Sequence, residues 1–510
     1  MPDMMTEREL PRATAPTPFS PRNILILALV CVAQLMVIID ASIINVALPS
    51  IKTSLHFSQP DLQWVVTAYT LIYAGFLLLG GRAADLLGRR AVLMAGMVLF
   101  TAASAVAGLS QSSSVLLVAR GVQGLGGAIM SPAALSLLLV TFREGTARNR
   151  AFAIWGMVAG GGGAVGVVLG GVLTQGPGWR WVFFINLPIG LLSLLAAPRI
   201  LTESRGEGGS RSYDVPGAVT VTAALLLLVY AVTQVPTYGW GATRTIGELI
   251  GAAALLVVFL LVEGRFASHP LVPLRIFRSP TVAGADAVMT LLGLAMFAVF
   301  YFLSLYMQQI LHFSPSRAGL AFLPVTAGVV VMAGVGTVLV SRFGARWLLA
   351  LGMLFVAGGI LLLTRTPVHG SFATDLLPAF ILISMGAGLS FPVVTNAGVS
   401  GVSRADSGIA SGLVNTLQQV GGAVGLGLLS TIATTRTNDV LHSQPQAGLP
   451  HALVEGFHRA YLIGGGLAVV GAMVAVLAIS RSVGKVDALP ATEDEEVTAD
   501  LPDTVEPLAS

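Results

Sequence analysis

The chain has 510 residues, 55% of them hydrophobic and only 10% charged, and its mean hydropathy is +0.83. Soluble domains carry about 25% charged residues, so most side chains here meet something other than water, and a soluble globular fold is excluded. The net charge of +3 gives no footing for a nucleic-acid partner, and the lone cysteine, Cys31, excludes an intrachain disulfide and any zinc or redox cysteine pattern.

The first 22 residues are polar and Pro-rich and read as a cytoplasmic tail. The apolar run at 24–48 holds Asp40 and has no small-x-small site after it, so it reads as a first membrane span and not as a cleaved signal. A second span, 62–82, leads into the loop GGRAADLLGRR, from Gly80 to Arg90. Its glycines, Gly81 and Gly88 among them, permit a tight turn and close helix packing. Asp85 can pair with arginines or cap a helix, while Arg89 and Arg90 hold the cytoplasmic side. The loop is either a latch between conformations or a set of topology-setting arginines.

Spans at 91–109 and 114–141 follow, and Arg120 lies inside the latter. A charge within a span costs about 2.5–3.5 kcal/mol on insertion scales, so Asp40 and Arg120 need a reason. At 1.5 Å per residue they sit roughly 12 Å and 9 Å below the outer ends of their spans. An ion pair or a shared water cavity is therefore open to them. The pair is either static or a carboxylate that takes up a proton while the arginine tunes it.

The fifth span, 151–174, carries Gly156, Gly160, Gly162, Gly166 and Gly170, with Gly171 beside them. Interior glycines cost about 1 kcal/mol each in helix propensity, which is tolerable where backbones pack closely. The stripe is a packing surface or, by extension, a sliding one. Further spans at 181–199, 215–234, 246–263, 283–308, 317–341, 347–364, 376–398, 408–433 and 460–480 bring the expected count to fourteen. Asp286 begins the ninth, and Glu248 lies at the outer end of the eighth. Each is either a cavity carboxylate or a group at the membrane margin. Candidate cavity residues are Trp64, Tyr69, Tyr73, Phe300 and Tyr301, with Gln34, Gln123 and Gln309 as polar handles. Core packing is the alternative for each.

With an even number of spans both termini share a side. Placing them in the cytoplasm puts 20 of the 28 basic residues inside and 7 outside, which sets the orientation. The last 30 residues hold Glu493, Asp494, Glu495 and Glu496 among prolines and threonines and read as a disordered acidic tail.

Three landmarks recur. Gly80, Gly88 and Gly96 reappear as Gly336, Gly344 and Gly352, an offset of 256 residues. Gly126 and Pro132 match Gly386 and Pro392 at 260, and GGAVG at Gly162–Gly166 returns at Gly421–Gly425 at 259. Each time the helix number rises by eight. The expected architecture is all-α, with a six-helix bundle over 23–199, two inserted helices within 200–280, a second six-helix bundle over 281–480 and a tail from 481.

GGRAADLLGRR resembles the loop motif of the major facilitator superfamily. Asp40–Pro49 (DASIINVALP), Leu117–Pro132 (LVARGVQGLGGAIMSP) and Trp179–Gly190 (WRWVFFINLPIG) resemble the first-, fourth- and sixth-helix motifs of its fourteen-span drug:proton antiporters, the EmrB/QacA type. That resemblance implies a major facilitator fold and export driven by proton entry, through alternating access of a central cavity. It also implies that Arg120 takes part in proton coupling. One departure stands out, since Val167 follows Gly166 where the antiport motif has proline. A permease for a specific metabolite or lipid-like compound remains the alternative. Neither Lys52 nor Lys485 supplies a P-loop, and no HExxH or Asp-rich metal site occurs, so no enzyme, cofactor or metal is expected. The expected partners are a small hydrophobic substrate, protons and the lipid bilayer of the inner (cytoplasmic) membrane, with the protein a monomer.

Overall fold

The computed structural model describes residues 20–142, 146–204, 214–267, 270, 272, 274–402, 407–480 and 483. The N-terminal tail before Ser20, the acidic tail beyond 480 apart from Val483, and the side chain of Asp85 lie outside the described residues. A chain in lipid must satisfy its backbone polar groups internally, and helices do so here. They run α1 Pro21–Ser54, α2 Trp64–Leu87, α3 Arg89–Leu109, α4 Ser113–Thr141, α5 Thr146–Gln175, α6 Asn186–Ile200, α7 Val215–Thr233 and α8 Thr243–Leu261. Then come α9 Pro280–Leu305, α10 Leu323–Phe343, α11 Ala345–Leu362, α12 Leu377–Gly398, α13 Ser407–Ser443 and α14 Gly448–Ala478. Among the described residues, ten helices are long and apolar enough to cross a membrane.

Local chemistry sets the ends. Ser20 caps α1, its hydroxyl accepting from the Asn23 amide at 3.3 Å, and Pro21 opens the first turn. Gly88 (φ 113°) breaks the chain between α2 and α3, as Gly344 (φ 79°) does between α10 and α11. Several helices overrun the apolar stretch that announced them. α1 continues to Ser54, α13 to Ser443, and α14 begins at Gly448, where the sequence pattern suggested 48, 433 and 460. Hydropathy marks only the lipid-buried part, whereas backbone bonding carries a helix on into water. The protruding ends of α13 and α14 are tied by Arg436 to Glu455 at 3.0 Å.

Packing repeats with the sequence. In the first half α1 meets α4, α5 and α6, α2 meets α4, and α3 meets α4 and α6. In the second half α9 meets α12, α13 and α14, α10 meets α12, and α11 meets α12 and α14. Every contact moves by eight helices. The repeated glycines lie at the crossings. A Cβ on Gly126 would stand 2.6 Å from the Phe100 amide nitrogen, and one on Gly386 2.5 Å from that of Val356. The Gly88 and Gly344 turns are held alike, because the Arg89 amide donates to Ser204 O and the Ala345 amide to Val483 O, each at 2.9 Å.

α7 and α8 pack on each other, and α7 also lies against α2 and α13, flanking one seam between the halves. Elsewhere the halves meet along α2–α13, α5–α10 and α1–α9. Those first two contacts are the same contact under the eight-helix shift.

Candidate functional site

Asp40 of α1 and Arg120 of α4 are both fully buried, and Arg120 Nη1 donates to Asp40 Oδ2 at 2.5 Å. The two sequence positions that seemed too costly to leave alone therefore face each other. Gln123, one turn beyond Arg120, completes the ring. Its Nε2 donates to Asp40 Oδ1 at 2.6 Å and to Ser104 Oγ at 2.8 Å, while its Oε1 accepts from Arg120 Nη1 at 2.8 Å. Asn186 reaches Asp40 Oδ1 from α6 at 3.5 Å. Arg120 Nε donates to Val65 O at 2.9 Å, and its guanidinium lies 4.4 Å from the Tyr69 ring centre and 5.8 Å from that of Phe183. A carboxylate and a guanidinium taken out of water need this many partners, because each unmet polar atom costs free energy in a low-dielectric interior.

The cluster has no twin. Shifted by the repeat offsets, Arg120 falls on Phe380, Gln123 on Ile383 and Asp40 on Met296, all buried and apolar. Phe380 stacks on Phe322 at 5.8 Å where the first half has its arginine. The second half is therefore a greasy copy of a charged original.

Glycines bring the flanking backbones close. A Cβ on Gly166 would collide with the Ser42 hydroxyl and stand 3.0 Å from Ile39 O, the carbonyl just before Asp40. A Cβ on Gly162 would reach Leu35 and Ile38 at 3.0 Å. Gly170 faces α1, with Ile43 O 2.6 Å from its Cβ position. Gly171 faces the other half, with Pro315 O at 2.7 Å. Val167, which stands in place of the expected proline, keeps its carbonyl against Gly319, 2.7 Å from that residue's Cβ position. Thus α5 is clamped between α1 and the helix Pro315–Ala321.

The sequence profile of the Major Facilitator Superfamily matches residues 30–426. The chain belongs to that superfamily. This facilitator is 39% identical to the cephamycin export protein of Amycolatopsis lactamdurans, over 88% of this chain and 91% of the relative. It is 37% identical to the puromycin resistance protein of Streptomyces alboniger, over 93% of this chain and 94% of the relative. A bacterial homologue of the human lysosomal transporter Spinster, 16% identical, superposes with a TM-score of 0.66 over 90% of this chain and 97% of its own, a likeness of fold.

Other residues singled out in the facilitator's sequence fall into several places. Tyr69 and Tyr73 stack at 5.9 Å beneath Arg120, and Gln34 accepts from Ser131 Oγ at 2.8 Å, all within the first half. Trp64 packs towards Tyr230 of α7 at 6.4 Å, in the seam of the inserted pair. Phe300 packs on Phe322 at 5.5 Å, Tyr301 meets Phe302 edge-on at 5.3 Å, and Gln309 is half-buried in the turn after α9. Glu248 pairs with the exposed Arg244 four residues earlier, at 2.9 Å, which makes it a surface ion pair remote from Asp40. Asp286 is buried, with neither carboxylate oxygen hydrogen-bonded among the described residues.

The expected loop Gly80–Arg90 is helical up to Leu87 and again from Arg89, and the single-residue turn at Gly88 is fastened by a residue that the sequence did not point to. Glu203, beyond α6, accepts from the Arg90 and Ala91 amides at 3.2 and 3.1 Å and so places a carboxylate at the start of α3. Arg90 Nη1 also donates to Leu201 O at 3.4 Å. Asn186 and Ser104 were overlooked as well. A lone asparagine within WRWVFFINLPIG was the available signal for the first, and nothing local marked the second.

Proposed function

We propose that this membrane protein is a proton-coupled exporter of hydrophobic or amphipathic drugs, antibiotics or related metabolites, working by alternating access. The observation that carries the reading is the single buried Asp40–Arg120–Gln123 cluster, present in one half and apolar in the other. The Asp40 carboxyl is the one member of the cluster that can gain and lose a proton, because a guanidinium stays protonated and an amide does not titrate. The names of the relatives, cephamycin export and puromycin resistance, supply the direction and the class of cargo. We count fourteen crossings by adding α2, α5, α7 and α13 to the ten apolar helices, as two six-helix halves flanking the inserted α7–α8 pair. Both termini lie in the cytoplasm on the arginine count. On that orientation the end of the seam where α1 and α5 terminate faces outward.

One proton entering against a neutral compound brings about 2.3 kcal/mol per 100 mV and about 1.4 kcal/mol per pH unit. Together these sustain a gradient of about several hundredfold. Asp40→Asn in inside-out vesicles is expected to abolish uphill accumulation and substrate-induced proton flux while substrate binding survives. Undiminished proton-driven accumulation by that variant places the coupling group elsewhere, with Asp286 next to test.

A further inference from the structure

Pro49 lies inside α1. A prolyl nitrogen carries no hydrogen, so the carbonyl four residues earlier, that of Asn45, has no helix donor. The Asn45 side chain does not serve it, because its Nδ2 donates backward to Ala41 O and Ser42 O at 3.3 and 3.5 Å. The donor comes from the other half of the molecule. Ser304 of α9, fully buried, donates its hydroxyl to Asn45 O at 2.5 Å. Gln308 donates Nε2 to Val46 O at 3.0 Å and to Ser304 Oγ at 3.1 Å. Gln308 sits in a π-helical turn, Tyr306–Ile310, a rare local geometry that recurs at functional positions. That turn is pinned to its own half by Tyr306 Oη donating to Pro367 O at 2.6 Å.

Nearby, the Ser316 amide donates to Gln175 Oε1 at 3.3 Å and its hydroxyl to Gly171 O at 3.1 Å. All these bonds join the two halves at the end where α1 and α5 terminate. They are neutral hydrogen bonds and not ion pairs, and they hold carbonyls that water can also satisfy. An interface of this kind closes firmly yet opens without stranding a charge.

We infer that Ser304 and Gln308 are gate-positioning residues of the transport cycle. Ser304 satisfies the α1 carbonyl that Pro49 leaves free, and Gln308 braces that hydroxyl and holds Val46 O, only while the halves are shut at this end. The inference rests on the transporter reading above. Pro49 thereby acts across the seam: by leaving a carbonyl open in one half, it creates the acceptor that the other half grips. Opening this end hands the carbonyl to water in the pathway.

The test uses the full chain with Cys31→Ala, which removes its only cysteine, and with Gln175→Cys and Ser316→Cys as a cross-linkable pair at the same end. Cross-linking in membranes reads the closed-to-open ratio. Ser304→Ala, and separately Gln308→Leu, are expected to lower that ratio about fivefold, about 1 kcal/mol. Ser304→Thr, which keeps the hydroxyl, restores it. Pro49→Ala returns an amide to Asn45 O and is expected to lower the ratio similarly, yet to add little in the Ser304→Ala background. An unchanged ratio in Ser304→Ala, or additive effects of Pro49→Ala and Ser304→Ala, overturns the inference. Export is measured alongside. If the ratio shifts in a protein that moves no substrate, the gate stands and the transporter reading falls.

Discussion

Removing one charge from the buried pair is not equivalent to removing the other. Asp40→Asn leaves Arg120 fully buried, with its Nη1 facing an amide, and a guanidinium does not shed its proton. Breaking a buried pair in this way costs about 3–5 kcal/mol. Arg120→Gln leaves a carboxyl group that still accepts from Gln123 and Asn186 and that a proton can neutralise, so its cost should lie well below that of Asp40→Asn. The double variant, Asp40→Asn with Arg120→Gln, keeps five hydrogen-bonding side chains, at positions 40, 104, 120, 123 and 186, and no charge. It is expected to recover most of the stability lost by Asp40→Asn, because a buried ion pair is seldom worth more than a well-packed neutral replacement. It should not recover uphill export. Thermal unfolding in detergent reads the first quantity, and accumulation in inside-out vesicles under an imposed pH gradient reads the second. A double variant that pumps uphill like the wild type would refute the reasoning, since the pair would then be structural. So would an Asp40→Asn protein as stable as its parent.

The glycine stripe gives a matched pair of substitutions. Gly170→Ala must push α1 and α5 apart at Ile43 O and is expected to lower both stability and transport. Gly163→Ala, whose Cβ meets nothing within 4 Å, should be neutral or gain up to about 1 kcal/mol of helix propensity by the same unfolding assay. Glu203→Gln weakens the carboxylate at the start of α3 and is expected to cost about 1 kcal/mol and slow turnover while substrate affinity holds, as read from vesicle kinetics. A reporter fused after Ser510 should be cytoplasmic and one inserted at Gln444 external. Labelling of both from the same side ends the fourteen-crossing proposal.

Composition and hydropathy were enough to place this chain in a membrane and to call it all-helical. Low charge leaves a chain only lipid or its own helices to bury against, and the glycines at repeated offsets had to be where backbones cross. Asp40 and Arg120 were legible for the same reason, as charges inside apolar runs are too costly to be incidental. Which side chains answer them became visible with the folded neighbours. Gln123 was known as a polar residue near Arg120, but Ser104 and Asn186 come from α3 and α6, and no spacing in the chain relates them to α1. The same limit hid Glu203, which reaches back 113 residues to the Arg90 amide. It also hid Gln308, which the π-helical turn brings to α1. Helix ends were misjudged wherever polar residues continued a helix past the apolar stretch. Periodicity and hydropathy report what each helix needs from its surroundings, whereas the identity of the supplier is fixed by three-dimensional neighbours far apart in the chain.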